Sequence, residues 1–395
     1  MTRKNLQFEE EFTQSLFVDA DALRRSVELL VRTTLEEEVD RFIGVGRYER
    51  GVERKATRNG TKPRTMQSCV GKLRFDVPQV REGGFQTRVF ERWQRSERAL
   101  AVVVQQMYVQ GVSTRKVTEV LEKMGGCEMS AATVSRCASE LDAEVQQWRS
   151  RGLSGKVWPC VIVDARYEKV RNRSGRVVSQ AVLVACGVCG EGRREVLGVW
   201  VGDSESESTW GSAFAELKAR GLSGVQVVVS DAHTGIRAAV AKHFQGALWQ
   251  RCKVHWMREA VKKVGWREEK ELMAELRTIF SHGEREHCLR VAGEVAAKWK
   301  EKHKKLADWI LESVEACLAV WDMPEVLRRR LNSTNMLERL MRELKRRSRV
   351  VSIFPNEASV IRLLGSVLIE IDEKWACEPG VYLNPEALRA VEMTS

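Results

Sequence analysis

A chain of 395 residues and 45.0 kDa is long enough for two or three domains with a substantial buried core, which excludes a peptide or a disulfide miniprotein. Hydrophobic residues at 43%, charged residues at 30% and only 7 Pro make up a folding globular composition and exclude a disordered or collagen-like one. Lys and Arg total 65 against 54 Asp and Glu, a formal charge of +11, which favours a polyanionic partner: nucleic acid first, an anionic membrane surface second.

The apolar run around Ala101 to Val104 falls far short of the roughly 20 residues that span a bilayer, so no transmembrane helix is expected. Met1-Thr-Arg-Lys leads into Asn5-Leu-Gln-Phe-Glu-Glu-Glu without the apolar stretch of a secretory signal, and an intracellular location follows as the expectation. Ten Cys with no regular framework are expected to be mostly free thiols in a reducing compartment.

Residues 19–43 place Leu23, Val27, Leu30, Val31, Leu35, Val39 and Phe42 at helical spacing, which predicts an amphipathic packing helix. From Arg47 to Thr65 cations dominate, and Asn59-Gly60 with Lys62-Pro63 reads as turns in a basic loop. Lys72 to Pro78 alternates Leu73, Phe75 and Val77 with polar neighbours, a half-buried strand ending at the proline. Between Ser96 and Trp148 the helical period returns in three pieces, broken near Gly111 and at Gly125-Gly126. The middle piece opens at Ser113 and carries Val117, Val120 and Leu121 inward; the third opens at Ser130 and carries Val134, Cys137 and Leu141. Two readings fit this spacing. One is a helix-turn-helix whose second helix offers Ala131, Thr133, Ser135 and Arg136 to the major groove; the other is plain bundle packing, which uses the same short helices and glycine turn.

From Lys156 the pattern becomes α/β. Val157 to Asp164, Val177 to Val188, Arg194 to Val201 and Val225 to Val229 are β-rich, with a helix at Thr209 to Arg220 between the third and fourth. Three consecutive strands, then helix, strand, helix, strand, predict a mixed sheet with helices packed on it. Residues 266–327 hold no strand candidate but regularly spaced Leu272, Leu276, Ile279, Phe280, Leu289, Trp299, Trp309, Leu318 and Trp321, an all-helical segment. A basic helix from Asn335 to Arg347 follows, then an amphipathic one through Val360, Leu363, Leu364, Val367, Leu368, Ile371 and Trp375.

Asp164 and Asp231 each stand at the C-terminal end of a predicted strand, where open α/β sheets gather their ligands. An Asp in that place also opens turns and caps helices, and a helix begins at Thr234-Gly235-Ile236 just past Asp231. Glu338 by itself reads as the third residue of a capping box from Asn335, with Arg342 as its i+4 ion-pair partner. Together the three acids offer the hard oxygens that two Mg²⁺ ions require, with positions left for phosphate oxygens. Two such ions about 3.5–4 Å apart activate the attacking oxygen and neutralise the leaving one in an in-line phosphodiester displacement.

A series of segments then falls in one order: Arg47-Tyr-Glu-Arg, Arg58-Asn-Gly, Glu91 to Glu97, Met107 to Lys116, Val163 to Lys169, Val229 to His233, Trp249 to His255, Ser333 to Arg339, and Arg346 to Asn356. Over Glu37 to Trp375 they resemble the Mutator-type transposases of bacterial insertion sequences, which are Asp-Asp-Glu transposases on a ribonuclease H-like fold. The resemblance implies an α/β fold: a ribonuclease H-like mixed-sheet catalytic domain interrupted by an all-helical insertion and preceded by a mainly helical DNA-binding region with a helix-turn-helix. The corresponding divisions are 1–95 helical and basic, 96–152 helix-turn-helix, 153–265 first part of the catalytic core, 266–327 insertion, and 328–395 second part of the core. Asp164, Asp231 and Glu338 become the catalytic and metal-binding triad, two Mg²⁺ ions (or Mn²⁺) the cofactors, and the insertion accounts for the 107-position separation of Asp231 and Glu338. Met341 and Leu331-Asn332 depart from the family pattern near Glu338, and Glu343 is the fallback for it.

The implied activity is end-specific DNA transposition: binding of terminal inverted repeats, hydrolysis that exposes a 3′-OH, and attack of that hydroxyl on another phosphodiester. The implied partners are double-stranded DNA of the element ends and target and a further copy of the chain in a homodimer or larger assembly, with no membrane, at the nucleoid in a bacterial cytoplasm. Arg54, Lys55, Arg58, Lys62 and Arg64 are candidate DNA contacts from the basic stretch, Thr133, Ser135 and Arg136 from the recognition helix, and Arg251, His255, Arg339, Arg342, Arg346 and Arg347 from the catalytic core. His233 and Cys252 are candidate active-site supports. Cys252-x-x-His255 can alternatively be drawn with Cys186-x-x-Cys189 as a Cys₃His zinc site, and Trp210 and Trp256 as platforms for a splayed base. The rival readings are a DNA-binding regulator derived from a transposase that does not cut, and a structure-selective nuclease on the same fold.

Overall fold

The computed structural model describes residues 20–47, 49, 54–68, 71–81, 84–89, 98–125, 130–281 and 283–392. They fall into two compact units divided between Glu140 and Leu141. The expected segment Glu91 to Glu97 lies outside the described residues.

In the first unit, α1 (Ala20–Ile43) packs on an antiparallel ribbon of β1 (Arg58–Ser68) and β2 (Gly71–Val80). Leu35 of α1 meets Leu73 and Phe75 of β2, while Val39 and Ile43 enclose Ala56. Leu30, expected on the inner face, is 69% exposed, because Val31 and Leu35 set that face one position along the helix. The basic loop expected from Arg47 to Thr65 is corrected beyond Arg58: β1 pairs with β2 down to Ser68↔Gly71, with Pro63 opposite Asp76. An amphipathic strand must satisfy its backbone groups on a ladder partner, and the polar β1 supplies it. The turn signal at Asn59-Gly60 is taken up in a register irregularity between Arg58 and Thr61, where Gly60 adopts φ 71°. Three short helices, α2 (Arg98–Val109), α3 (Thr114–Gly125) and α4 (Ala131–Ser139), share a core of Leu100, Val104, Val117, Leu121, Val134 and Cys137. Ser130 caps α4 by accepting the Thr133 N–H at 3.2 Å.

The second unit begins with α5 (Leu141–Arg149) and is built on a five-stranded sheet in the order β5-β4-β3-β6-β7. β3 (Cys160–Arg171), β4 (Val177–Val188) and β5 (Arg194–Gly202) form an antiparallel meander; β6 (Val227–Ser230) and β7 (Leu248–Arg251) add in parallel on the other side of β3. On one face α6 (Glu207–Ala219) and α7 (Thr234–His243) bury Trp210, Phe214, Leu217, Ile236 and Val240 against Val161, Val163, Leu183 and Val228. Alternating strand residues thus form the core that drives the unit together.

After β7 come α8 (Lys253–Val261), α9 (Glu269–Ile279), α10 (Arg285–Trp299), α11 (Lys304–Ser313), a 3₁₀ turn at Glu315–Cys317 and α12 (Glu325–Leu331). Residues 266–327 hold no strand among the described residues. Their core is aromatic: Trp256 stacks on Trp309 at 5.3 Å and meets the edge of Phe280 at 5.6 Å. The chain then returns to the sheet through the basic α13 (Asn335–Ser348) and through α14 (Glu357–Cys377), which packs on β5 and α5, before ending in α15 (Pro385–Glu392). Asp372 of α14 makes that join polar, accepting from Val196 N at 2.7 Å, Trp148 Nε1 at 3.2 Å and Arg151 at 3.2 Å. The architecture is a mixed α/β fold with many helices. Among the described residues no helix is long and apolar enough to cross a membrane.

Candidate active site

Asp164 is not at the end of its strand. β3 continues seven residues past it to Arg171, because β4 pairs with it along its whole length. On the β6 side the parallel pairing ends at Ile162↔Val229, two residues before Asp164 and Asp231. Asp231 follows β6 directly and takes the His233 N–H at 3.1 Å, while His233 caps α7 by accepting from Gly235 N at 3.3 Å. The turn is close-packed, since a Cβ on Gly235 would lie 2.3 Å from the Glu205 carbonyl oxygen.

Burial raises the Asp164 carboxyl to about 7; His255 opposes that rise, and Asp231 and Glu205 add to it. Glu205, 8% exposed in the loop between β5 and α6, is a fourth acid of this region. Burial holds it above the usual carboxylate range, with Asp231 pushing the same way and His233 and its hydrogen bond from Tyr167 opposing. Nothing in Asp203-Ser-Glu-Ser-Glu207 singles it out in the sequence, because three acids alternate with serines there.

Glu338 reaches the region from α13. The capping box expected from Asn335 is corrected: Thr334 is the N-cap, Asn335 is the first helical residue, and the Glu338 carboxylate points to α8. It accepts from both ends of the Arg258 guanidinium, at 2.7 and 3.2 Å, and stands 3.7 Å from His255 Nε2, so its partner is Arg258 in place of the expected Arg342. His255 and Arg258 are three residues apart on α8, a spacing that would have revealed Arg258 once His255 was singled out.

Cys252 joins these elements. Its N–H donates to the Ser230 carbonyl at 2.7 Å, next to Asp231, and its buried sulfur accepts from the Thr334 N–H at 3.3 Å and hydroxyl at 3.4 Å, at the start of the helix that carries Glu338. Burial pushes the Cys252 thiol up, but His255 and Thr334 outweigh it and bring it below its ordinary value. The neighbouring Cys252 raises His255 to about 9 against burial, with Asp164 and Glu338 adding to the rise. From the other end of α13, Ser348 donates to Glu168 at 2.8 Å and Arg166 to the Met341 carbonyl at 3.4 Å, tying the helix to β3.

Among the described residues no three His, Cys, Asp or Glu side chains converge closely enough to hold a metal ion. The Cys₃His zinc site is not assembled, since Cys186 lies within β4 and Cys252 follows β7, with β3 and β6 between those strands. The stacking role for Trp210 and Trp256 is corrected too: both are fully buried, and the exposed tryptophan of that part of the chain is Trp266, 76% exposed with Arg267 over its ring. For a divalent cation, the donor chemistry of Asp164 and Asp231 fits: hard oxygens, one of them desolvated beside another acid. Glu338 has the same chemistry but is held by Arg258.

The candidate DNA contacts divide by environment. Arg251 is buried against Glu259 at 2.7 Å, and Arg347 is buried against Glu343 at 2.7 Å and Glu370 at 3.2 Å. Glu343, the fallback acid, is engaged by Arg346 and Arg347, which hold it down at about 2. Arg58 pairs with Glu36 at 2.7 Å and with Asp40. Arg339, Arg342 and Arg346 of α13 are exposed, as are Arg54, Lys55 and Lys62, with Arg64 partly so. On α4, Ser135 and Arg136 are exposed, and the Thr133 hydroxyl is engaged by Ser130 and Arg136.

Comparison with known proteins gives a consistent result over nearly the whole chain. The sequence model described as "Transposase, Mutator family" matches residues 1–378. The transposase for insertion sequence element ISRM5 of Rhizobium meliloti is 40% identical over 374 residues, 95% of this chain and 93% of that protein. The transposase for IS406 of Burkholderia multivorans is 40% identical over 367 residues, 92% and 94% of the two chains. The transposase for IS256 in transposon Tn4001 of Staphylococcus aureus is 34% identical over 398 residues, 97% and 99%. With a match of that extent and relatives of that similarity, the chain belongs to the Mutator family of transposases.

Proposed function

We propose that this chain is a transposase that binds the terminal inverted repeats of its insertion sequence, cleaves a strand there and joins the freed 3′-OH to another phosphodiester, using Asp164, Asp231 and Glu338. The observation that supports this reading is the parallel pairing of β3 and β6, which stops two residues short of Asp164 and of Asp231, with His255 between Asp164 and Glu338. The antiparallel β3–β5 followed by parallel β6 and β7 is compatible with a ribonuclease H-like core.

Asp164 and Asp231 would hold Mg²⁺ or Mn²⁺, with Glu338 as the third ligand; a pair of such ions supplies activation of the attacking oxygen and neutralisation of the leaving one. The protein's own contribution is position and charge. Asp164 is held in the ladder with β4, His255 is raised to about 9 beside Cys252, and the cations along α13 offer phosphate contacts beside Glu338. In the first unit, α3 and α4 would form the helix-turn-helix, with Ser135 and Arg136 in the major groove. Pairing of two element ends calls for a dimer or larger assembly.

The test is cleavage of labelled terminal-repeat DNA with Mg²⁺. Wild type should nick at the element end, whereas Asp164→Ala, Asp231→Ala and Glu338→Gln should still shift the DNA on a gel but cut on the order of a thousandfold more slowly. Undiminished cutting by any of the three overturns its assignment. Binding by wild type without nicks favours the non-cutting regulator.

A further inference from the structure

We propose that Arg258 is a positioning residue that occupies Glu338 in the metal-free protein and competes with the divalent cation for it, so that completing the ligand set requires breaking the Arg258–Glu338 pair. This rests on the reading of Asp164, Asp231 and Glu338 as metal ligands.

α8 and α13 are tied at their N-termini by the Lys253 N–H to the Asn332 carbonyl at 3.0 Å and by both Thr334 donors to Cys252 sulfur. α13 is tied again at its far end through Ser348 and Glu168. Helix backbones fixed at those points leave the side chains to decide where the Glu338 carboxylate points. They send it to Arg258 by a two-point, charge-assisted contact at 2.7 and 3.2 Å, with His255 at 3.7 Å as the second cationic neighbour. The pair is asymmetric. The Glu338 side chain is 17% exposed and that of Arg258 is 53% exposed, so the guanidinium can leave for water at little cost while the carboxylate, left behind, needs another cation.

On the other side of His255 the requirement is the reverse. Asp164 and Asp231 come from the neighbouring strands β3 and β6, and Glu205 is buried in the loop whose carbonyl packs against Gly235. Positive charge is in excess at Glu338 and short at the Asp pair. A divalent cation drawn to the Asp pair would answer that deficit and attract the Glu338 carboxylate away from Arg258; until it does, the ion pair keeps the third acid neutralised. The competition follows from Coulomb attraction, because one carboxylate cannot make close contact with both cations at full strength.

Mn²⁺ binding to the full chain without DNA, followed by the electron paramagnetic resonance signal of the free ion, reads this without any measurement of activity. Arg258→Ala and the longer Arg258→Gln, which keeps the side-chain stem, should each tighten Mn²⁺ binding about tenfold, the equivalent of about 1.4 kcal/mol. In a Glu338→Gln background the same changes should have no effect. Equal affinity of wild type and both Arg258 variants overturns the competition and leaves the metal assignment standing. A tightening that persists undiminished in Glu338→Gln overturns it as well, since the effect is then a general loss of positive charge. Absence of Mn²⁺ binding at millimolar concentration in wild type and Arg258 variants alike overturns the metal reading, and the competition with it.

Discussion

The strand-borne acids and the helix-borne acid are held by different means. Asp164 sits in a ladder with β4 on one side, and Asp231 leaves β6 into a turn closed by its own carboxylate and by His233. Both are placed by the backbone of the sheet, Asp164 within a strand and Asp231 directly after one. Glu338 is placed by side chains: Arg258 at its carboxylate, Cys252 on Thr334 one turn earlier, and Ser348 on Glu168 at the far end of the helix. Backbone placement gives two acids a fixed spacing and leaves one of them desolvated, whereas side-chain placement gives the third a carboxylate that can exchange partners. An assembly that needs a rigid pair and an adjustable third ligand can be built from this contrast.

The contrast breaks most visibly at Gly235. A methyl group there would stand 2.3 Å from the Glu205 carbonyl oxygen and 2.8 Å from the Glu207 nitrogen, and neither backbone atom can swing aside. Gly235→Ala should cost about 1–3 kcal/mol in urea unfolding and should lower cleavage by moving Asp231. Wild-type stability and cleavage in this variant would mean that the turn is not rigid.

A second test uses protons. Because burial raises Asp164 from 3.8 to about 7, the folded chain holds a proton through that interval which the unfolded chain has released. Its contribution to stability is fully present below the lower value and is lost as pH rises through the upper one, so the metal-free protein should become less stable from about pH 4 to about pH 7. Asp164→Asn should flatten that part of the profile, measured as unfolding midpoint against pH. An identical slope in the variant would show that the carboxyl is solvated.

The smallest effect sharpens the other side of the comparison. Thr334→Val removes the hydroxyl donated to Cys252 and keeps the N–H, so a loss of roughly 0.5–1.5 kcal/mol is expected. The pH signature of Asp164 should survive in this variant if the strand acids and the helix acid are held independently. A profile altered along with it would join the two into one network.

Much of the second unit was legible because its elements are strongly patterned. The continuous apolar runs of residues 161–163 and 181–188, the helix before β6, and the aliphatic stripe of α14 all correspond to observed elements, since a short apolar run reports a strand buried on both faces and period 3.6 a helix buried on one. The errors have physical causes. Asp164 read as a strand end because Arg166, Glu168 and Lys169 are polar, yet an antiparallel partner extends a strand through polar residues. Asn335 and Glu338 match a capping box, but the Glu338 carboxylate does better with a guanidinium than with a backbone N–H. Arg251 and Arg347 read as phosphate contacts because the sequence counts charge without burial. Glu205 and Arg258 were missed for the same reason: what distinguishes them is the company that folding brings.

The sequence by itself determined the mixed α/β class, the helical character of residues 266–327, the family, and the concentration of cations, with 14 Lys/Arg against 6 Asp/Glu in residues 47–98 and 9 against 2 in residues 328–349. These follow from local periodicity, composition and order along the chain. Only the tertiary structure decided that β3 runs past Asp164, that α5 belongs with the sheet, that Cys252 joins β6 to α13, and that Glu338 rests on Arg258. Each of those depends on residues far apart in the chain, 82 positions for Cys252 and Thr334 and 224 for Trp148 and Asp372, competing for the same hydrogen bonds and charges, and such competition is resolved by packing and desolvation, which no local pattern encodes.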